Sequence, residues 1–216
     1  MLHGVAGWRI DDDRGAGEGP EERVARDAAL LEAVRSGAAP ATARVWENAR
    51  CLVVARSDQR LPRFAAAATA LAAAGWPVVV RESGGSAVPQ GPGILSLSLA
   101  FRPAPDARCS IESIYDALCG PLESALARLG VASTRGEVPS AFCDGRYDVA
   151  VLGRKIAGTA QRWRAGPAGP SPERGAVLAH ALLLVDVERA EATDAVNRFY
   201  AAAGGCLLYT SPSPRD

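Results

Sequence analysis

Apolar residues recur at helical spacing in several parts of the chain, which predicts helices at residues 21–37, 64–74, 110–130 and 193–203. In the first segment, Val24, Ala28 and Leu31 fall on one face of a helix. The second segment is almost entirely alanine, the strongest helix former, and Gly75 is placed to end it. In the third segment, the pair Gly120-Pro121 is expected to break or kink the helix.

Short apolar runs bounded by turn residues predict strands at residues 51–55, 77–81, 94–101, 147–152, 155–163 and 176–185. Within residues 94–101, leucines alternate with Ser96 and Ser98, so one face of that strand is apolar. Two of the predicted strands flank Gly153-Arg154, and this spacing predicts a hairpin. Residues 82–93 form a loop rich in Gly, Ser and Pro. We find no internal repeat and no long linker, which favours a single domain.

The C-terminal residues Cys206–Asp216 differ from the rest of the chain. They resemble the in-frame translation of a transposon-type sequencing adapter, so we exclude them from fold reasoning. We therefore treat residues 1–205 as one domain, with its N-terminal helix from about residue 21 and its motifs within residues 77–186. We also expect natural coding sequence to continue beyond Gly205.

The composition excludes several classes of protein. The formal net charge is zero, so the chain lacks the basic surface of a nucleic-acid or anionic-membrane binder. No apolar run approaches the ~18 residues of a membrane span. The first residues lack the basic start and apolar core of a secretion signal. We expect a cytoplasmic protein that binds neither nucleic acid nor membrane.

The cysteines and histidines provide few candidates for catalytic or metal-binding residues. No pair of cysteines has the C-x-x-C spacing, so we expect reduced thiols rather than disulfides or a zinc site. His3 and His180 are the only histidines, and His180 opens an apolar strand, where a hydrogen-bonded structural role is expected. Outside the tail, the cysteines are Cys51, Cys109, Cys119 and Cys143.

Lys155 is the only lysine among 24 basic Lys and Arg residues. A lysine ammonium is a compact charge on a flexible stem, and the planar guanidinium of Arg does not replace it at close quarters. Strand alternation from Lys155 places Ala157 and Thr159 on the same face, and Gly158 leaves room beside them. Such a strand edge suits a site that holds a thin, extended substrate.

A glycine-rich turn follows the strand that ends at Arg81. Gly84 and Gly85 allow backbone amides to approach a ligand closely, and Arg81 supplies a charged donor for a phosphate or carboxylate. The turn is not a Walker A loop, because no Gly-Lys-Ser/Thr follows it. Alone, this signal is weak, since most Gly-Gly pairs after strands are ordinary turns.

Three segments in order resemble the catalytic domain of the lipoate/biotin–protein ligase family, over roughly residues 27–199. They are residues 81–88, 153–161 and 180–186, and they are most similar to the branch of lipoate–protein ligases and octanoyl and lipoyl transferases. The resemblance implies an α+β fold with a mixed, largely antiparallel β-sheet flanked by helices. It also implies that Lys155 contacts the activated carboxyl group. The implied acyl and adenylate site comprises Arg81, Ser83, Gly84, Gly85, Ser86, Ala87, Lys155, Gly158, Thr159 and Ala160.

The chain departs from the family pattern at several positions in these segments. Ser86 replaces a glycine that many members have, and Gln90 stands where a histidine is common. Ala181 replaces the glycine of a His-Gly pair, and Ser96 replaces an asparagine. These departures leave the acyl site intact but bear on the use of ATP and on activity.

The resemblance leaves two enzymatic mechanisms open. A ligase condenses lipoate or octanoate with ATP, using Mg²⁺, and the acceptor lysine of an E2 or H-protein-like lipoyl domain attacks the acyl-adenylate. There, Lys155 and the loop amides stabilise charge on phosphate and carbonyl oxygens. A transferase needs no cofactor: it takes the acyl group from an acyl carrier protein through a cysteine thioester.

Cys143 is the candidate nucleophile for the transferase route, since it precedes the Lys155 hairpin in the sequence Phe-Cys-Asp-Gly. The alternative for Cys143 is a small packing thiol, the usual role of a free cysteine. A further hypothesis is a non-catalytic protein that binds an acyl group or its carrier. The only lysine argues for catalysis, whereas Gln90 and Ala181 argue for the binding protein.

Overall fold

The computed structural model describes residues 7–15, 17–103, 109–138, 141, 145–166 and 175–205. Two subjects of the predictions lie outside these residues: the candidate nucleophile Cys143 and the adapter-like tail, residues 206–216. The described residues form two β-sheets and four α-helices. The predicted α+β class, with a mixed and largely antiparallel sheet flanked by helices, is confirmed. None of the described helices has the length and apolar character needed to cross a bilayer.

Ten strands are formed by the described residues. They are β1 (Arg9–Asp13), β2 (Thr42–Trp46), β3 (Cys51–Ala55), β4 (Val78–Arg81), β5 (Val88–Gln90), β6 (Ile94–Phe101), β7 (Thr134–Arg135), β8 (Val149–Val151), β9 (Arg154–Arg164) and β10 (Ala176–Leu184). The larger sheet has the order β1-β2-β6-β10-β9-β8-β7. Its β1–β2 pair is parallel and its other pairs are antiparallel. In the smaller sheet, of order β4-β3-β5, β3 is parallel to β4 and antiparallel to β5.

The helices are α1 (Pro20–Ser36), α2 (Phe64–Ala73), α3 (Ile111–Arg128) and α4 (Arg189–Ala203). Their ends follow local sequence signals. Pro20 begins α1, where its missing N–H is not needed, and Gly37 ends it with φ +80°. The Ser110 hydroxyl accepts a hydrogen bond from the Ser113 N–H at 3.2 Å and caps α3. The Glu188 carboxylate accepts from the Ala190 N–H at 3.2 Å at the start of α4.

The helices cover the sheets from different sides. Apolar residues of α3, including Leu118 and Leu122, form the main core with inward-facing residues of β6, β9 and β10. Helices α2 and α4 pack together and against the smaller sheet, with Phe199 fully buried between them. Helix α1 contacts β6 and β10 of the larger sheet and β4 of the smaller one. Because α1 spans the two sheets, it helps to fix the space between them.

Several sequence predictions need correction. Strand β5 lies within residues 82–93, which were expected to be a loop, and β1, β2 and β7 were not predicted. Helix α3 runs through Pro121 without a break, and α4 begins at Arg189 rather than at residue 193. The hairpin turn is Leu152-Gly153, with φ values of +50° and +70°, rather than Gly153-Arg154. Positive φ at both central residues is what a tight two-residue hairpin turn requires.

Candidate active site

Two adjoining cavities lie between the two sheets, and Val53, Arg81, Gln90 and His180 line both of them. The first cavity has a volume of about 50 Å³ and reaches Lys155 on β9. The second has a volume of about 360 Å³ and extends beneath α1. Most of the wall of each cavity is apolar, with a few convergent polar groups, as is usual for sites that bind small molecules.

Lys155 forms a buried ion pair with Asp148 at the end of the first cavity. Its Nζ lies 2.9 Å from Asp148 Oδ2, and the side chains are 5% and 2% exposed. The same carboxylate oxygen accepts a hydrogen bond from the Gly145 N–H at 3.0 Å. Sequence reasoning missed Asp148. The available signal was a carboxylate placed immediately before an apolar strand on the lysine hairpin.

A β-bulge in the hairpin directs Lys155 into the cavity. Ala150 pairs with Lys155, and the preceding Val149 pairs with Ala157, so Ile156 is an extra residue in β9. Ala157 packs in the core beneath α3, whereas a Cβ on Gly158 would lie 3.1 Å from the Cε of Lys155. The prediction that Lys155 and Ala157 share a face is therefore wrong. The small size of Gly158 leaves room for the lysine side chain. The expected room for a ligand beside Gly158 stays a prediction.

Arg81 holds the glycine-rich turn after β4, residues 82–87, in place; we call this turn the glycine loop. Its Nη1 donates to the Val53 carbonyl at 3.0 Å, and its Nη2 donates to the carbonyls of Gly84 and Ser86 at 2.9 and 2.8 Å. These bonds fold the loop back onto the end of β4, and Gly85 has a φ of +98° there, which glycine adopts without strain. The contribution of Arg81 to anion binding stays a prediction.

Helix α4 holds the other end of the glycine loop. The Ala87 N–H donates to the hydroxyl of Tyr200 at 2.7 Å, and that hydroxyl donates to Asp58 Oδ2 at 3.3 Å. Asp58 in turn accepts from the Ala55 N–H at 3.0 Å, at the end of β3. Burial raises the pKa of Asp58, and the bonds from Ala55 and Tyr200 oppose this rise. The loop is thus fixed from both sides, by Arg81 and by Tyr200.

His180 and Ser83 meet where the two cavities adjoin. His180 Nε2 lies 3.0 Å from the Ser83 hydroxyl. Burial, followed by the positive charge of Arg81, lowers the pKa of His180 to about 4. The imidazole is therefore neutral near pH 7, and this histidine serves the site as a hydrogen-bonding group rather than as a cation.

A network of buried polar groups closes the far end of the second cavity. Arg44 donates to Asp27 Oδ1 at 2.7 Å and to Asp13 Oδ2 at 2.8 and 2.7 Å. The Ser98 hydroxyl donates to Asp27 Oδ2 at 2.7 Å and accepts from Trp46 Nε1 at 3.0 Å. Burial raises the pKa of Asp27, opposed by the charge of Arg44. These paired groups make a rigid wall rather than a reactive centre.

An ionic contact joins the two sheets at the rim of the second cavity. Glu82, beside Arg81, accepts from Arg162 at 3.1 Å and from Arg164 at 2.9 Å, both on β9. Arg162 also donates to the backbone carbonyl of Glu82. The smaller sheet is therefore tied to the strand that carries Lys155.

The structure gathers most of the predicted site residues around the two cavities. Arg81, Lys155, Gly158, Thr159 and Ala160 line the first cavity, and Ser83 lines the second. The remaining loop residues, Gly84, Gly85, Ser86 and Ala87, lie in the adjoining glycine loop. Sequence reasoning did not assign Asp148, Gln90, Ser96 and His180 to the site.

Two of the described cysteines, Cys51 and Cys119, lack the properties of a nucleophile. Burial raises the pKa of Cys51 to about 12 and that of Cys119 to about 11. Cys51 and Cys119 are fully buried in apolar clusters, where they act as packing residues. Among the described residues, no cluster of three His, Cys, Asp or Glu side chains is arranged to hold a metal ion.

Comparison with solved structures identifies the fold. Protein Ta0514 of T. acidophilum with bound lipoic acid superposes with a TM-score of 0.62 and 19% identity, covering 90% of this chain and 85% of that chain. Lipoate-protein ligase A bound with ATP gives a TM-score of 0.62 and 18% identity, covering 96% and 89% of the two chains. These similarities define a domain of the lipoate–protein ligase fold.

Sequence comparison gives the family. The family model of the lipoyl protein ligase A/B catalytic domain matches residues 19–205. The chain belongs to this family, as the three motif segments predicted.

The curated relatives carry more specific names. The octanoyl-GcvH:protein N-octanoyltransferase of Kyrpidia tusciae is 43% identical over 196 residues, which cover 89% of this chain and 66% of that protein. The protein of the same name from Geobacillus kaustophilus is 33% identical, with 89% and 65% covered. A lipoyl-GcvH:protein N-lipoyltransferase of Listeria monocytogenes is 28% identical, with 88% and 66% covered. The chain thus spans just under two thirds of the length of these relatives.

Proposed function

We propose that this protein is an acyltransferase that moves an octanoyl or lipoyl group from a lysine of a GcvH-like protein to a lysine of a lipoyl domain. The names of the curated relatives support the donor, the acyl group and the protein acceptor. The observation that carries the proposal is the buried Lys155–Asp148 pair, whose lysine lines a largely apolar cavity. The ammonium supplies a fixed positive charge beside a wall on which an acyl chain can pack.

The reaction proceeds through a thioester on Cys143. The thiolate of Cys143 attacks the carbonyl carbon of the octanoyl amide; the C–S bond forms, the C–N bond breaks, and the leaving lysine amine takes a proton. The amine of the acceptor lysine then attacks the thioester; a new C–N bond forms, the C–S bond breaks and the amine loses a proton. The overall reaction exchanges one lysine amide for another, with the thioester as the intermediate, so the route needs neither ATP nor a redox partner.

Lys155 stabilises the carbonyl oxygen in both steps. Negative charge develops on that oxygen as the carbon becomes tetrahedral, and a preorganised donor in an apolar cavity lowers the barrier. Asp148 holds the ammonium in place, and its bond to Gly145 ties the pair to the segment just after Cys143. Gly158 leaves space for the lysine.

The adenylate route, with ATP and Mg²⁺, is the weaker alternative. The sequence relatives named above are transferases, whereas the ATP-bound ligase shares only 18% identity and supports the fold alone. The cysteine-dependent route therefore replaces the ligase as the main hypothesis. The experiment must also distinguish this transferase from a non-catalytic protein that only binds the acyl group.

The test is acyl transfer followed by intact mass spectrometry. The protein is incubated with octanoyl-GcvH and an apo lipoyl domain, without ATP, and the octanoyl group is expected on the lipoyl domain and transiently on Cys143. Cys143→Ala is expected to abolish both products, while Cys109→Ala, a change at a partly exposed cysteine of the described residues, retains them. Transfer from free octanoate only when ATP is added would establish the ligase instead. Absence of transfer under both conditions would leave a binding protein.

A further inference from the structure

Gln90 is a buried amide held in one orientation between the two cavities. Its side chain is on β5, the residue is 6% exposed, and it lines both cavities. Gln90 Oε1 accepts from Asn48 Nδ2 at 2.8 Å. Asn48 is itself fixed, because its Oδ1 accepts from the Ala49 N–H at 2.9 Å. With Oε1 occupied by Asn48, the NH₂ group of Gln90 is directed to the cavities.

That NH₂ group lacks an acceptor among the described residues. A second polar group in the first cavity, the hydroxyl of Ser96, also lacks a hydrogen-bond partner there. Ser96, on β6 of the opposite sheet, is 4% exposed and its hydroxyl makes no hydrogen bond within the described part of the chain. Neither of these donors is among the fully enclosed polar atoms of the described residues, so both are open to the first cavity that Lys155 also lines. A ligand or water in that cavity can therefore complete their hydrogen bonds.

The chemistry of an acyl chain determines which of its atoms meets Gln90. The rest of the first cavity wall is largely apolar, including Val53, Val88, Leu182 and Leu184. A saturated acyl chain carries a single strong acceptor, its carbonyl oxygen. A chain that filled the cavity without meeting Gln90 would displace water from the amide and leave a buried donor unpaired, which is costly. The favourable position therefore sets the carbonyl oxygen beside Gln90 and leaves the methylene groups against the apolar wall.

We propose that Gln90 is a substrate-binding residue whose Nε2 donates a hydrogen bond to the carbonyl oxygen of the bound acyl group, with the Ser96 hydroxyl as a second donor. The identity of the ligand as an acyl group rests on the proposed function. The inference adds a neutral donor on the smaller sheet, facing Lys155 on the larger one. Asn48 is the positioning residue that orients this donor.

The proposal is tested with two ligands that differ only in the carbonyl group, S-octanoyl- and S-octyl-N-acetylcysteamine. Binding is measured by calorimetry in a Cys143→Ala background, which removes the proposed nucleophile. The parent is expected to bind the octanoyl ligand about tenfold or more tightly than the octyl ligand. Gln90→Met keeps a similar shape without the donor, and it is expected to lose most of this preference while its affinity for the octyl ligand is unchanged. Ser96→Ala is expected to lose a smaller part.

The matched control is Gln59→Met, which changes an exposed glutamine and is expected to keep the full preference. No preference in the parent would overturn the proposal, even if Gln90→Met fails to fold. Equal weakening of both ligands by Gln90→Met would also overturn it, since this would show a role in shape alone. Failure of transfer from octanoyl-GcvH would refute the proposed function but not the carbonyl contact, because this measurement does not depend on turnover.

Discussion

The ammonium of Lys155 lies 2.9 Å from the carboxylate of Asp148, and both side chains are almost completely buried. The two residues belong to one hairpin, and the β-bulge at Ile156 turns the lysine toward the cavity. Asp148 also binds the Gly145 N–H, so the ion pair connects the hairpin to the segment that precedes it. The position of the charge is therefore set by several strands and not by the lysine alone.

We predict a large stability loss when one member of this pair is removed. Asp148→Asn leaves a buried ammonium without its countercharge, and Lys155→Met leaves a buried carboxylate; each is expected to lower the free energy of unfolding by about 3–5 kcal/mol. The double variant Lys155→Met/Asp148→Leu is expected to recover most of that loss, because it buries no charge. Denaturant unfolding measures the free energy of unfolding of the two single variants and of the double variant. Additive losses in the double variant would contradict this interpretation of the pair.

The transfer activity of Lys155→Arg separates the catalytic role of Lys155 from its structural role. Lys155→Arg keeps the positive charge, but the guanidinium is larger and its charge is spread over a plane. We expect transfer to fall about a hundredfold, the loss typical of one preorganised donor at a developing oxyanion. The measurement is acyl transfer to the lipoyl domain, with thermal melting in parallel. Transfer close to that of the parent would show that the site requires only a positive charge.

A substitution at Gly158 tests whether transfer requires the open space beside the side chain of Lys155. A Cβ on Gly158 would lie 3.1 and 3.2 Å from the Cε and Nζ of Lys155, closer than ordinary contact. Gly158→Ala is therefore expected to displace the ammonium and to reduce transfer at least about tenfold, with a smaller effect on melting. Gly120→Ala, in α3, is the matched control, because a Cβ on Gly120 meets no atom within 4 Å and the residue lies outside the site. Equal effects of the two changes would contradict a specific role for the space at Gly158.

A substitution at Gly85 tests whether acyl binding depends on the backbone conformation of the glycine loop. Its φ of +98° lies in the region that residues with a side chain rarely adopt. We expect Gly85→Val to block acyl binding while the domain stays folded, because the loop must leave its position between Arg81 and Tyr200. Calorimetry with an acyl ligand and circular dichroism measure the two effects. Unchanged binding by a folded variant would remove this loop from the site.

His180 gives the stability of the protein a defined pH dependence. Its pKa is about 4 in the folded protein and 6.5 in an unfolded chain. The unfolded state therefore binds more protons between these values, so the contribution of His180 is complete above pH 6.5 and is lost as the pH falls toward 4. The full loss is on the order of 3 kcal/mol. Comparing wild type with His180→Asn by denaturant unfolding at several pH values isolates it, and parallel curves from pH 7 to pH 4 would show that His180 does not titrate as described.

The sequence predicted the features that depend on local spacing. The helix at α1, the strands at β3, β6 and β10, and the hairpin that carries Lys155 were all located within a few residues. These elements follow from residue order alone, because periodicity, glycine and proline act over a few neighbouring positions. The assignment of the lysine and the glycine loop to one site came instead from the resemblance of three motifs to a known family.

The sequence could not predict features that depend on register between distant strands. The bulge at Ile156 moves Lys155 off the face of Ala157, and alternation along one strand gives no sign of it. Gln90 was interpreted as a departure from the family pattern that favours a non-catalytic protein. The sequence alone does not reveal its bond to Asn48, because that bond forms only when β5 pairs with β3. Strand β1 is short and polar, with an Asp-rich sequence that is depleted in strands, and it is held by parallel pairing with β2.

Tyr200 provides a final prediction, on the support of the glycine loop from α4. Its hydroxyl accepts from the Ala87 N–H at 2.7 Å and donates to Asp58 at 3.3 Å, with the tyrosine only 2% exposed. Tyr200→Phe keeps the packed ring but leaves the buried Ala87 N–H without this acceptor. We expect a loss of about 1–3 kcal/mol in the free energy of unfolding.

The same change is expected to weaken acyl binding, because the loop loses one of its two supports while Arg81 still holds the other. Asp58→Asn is the informative companion, since it keeps a carbonyl oxygen that can still accept from Tyr200. We expect it to be milder than Tyr200→Phe in both unfolding and ligand calorimetry. If Tyr200→Phe lowers stability but leaves acyl affinity unchanged, α4 stabilises the domain without shaping the site.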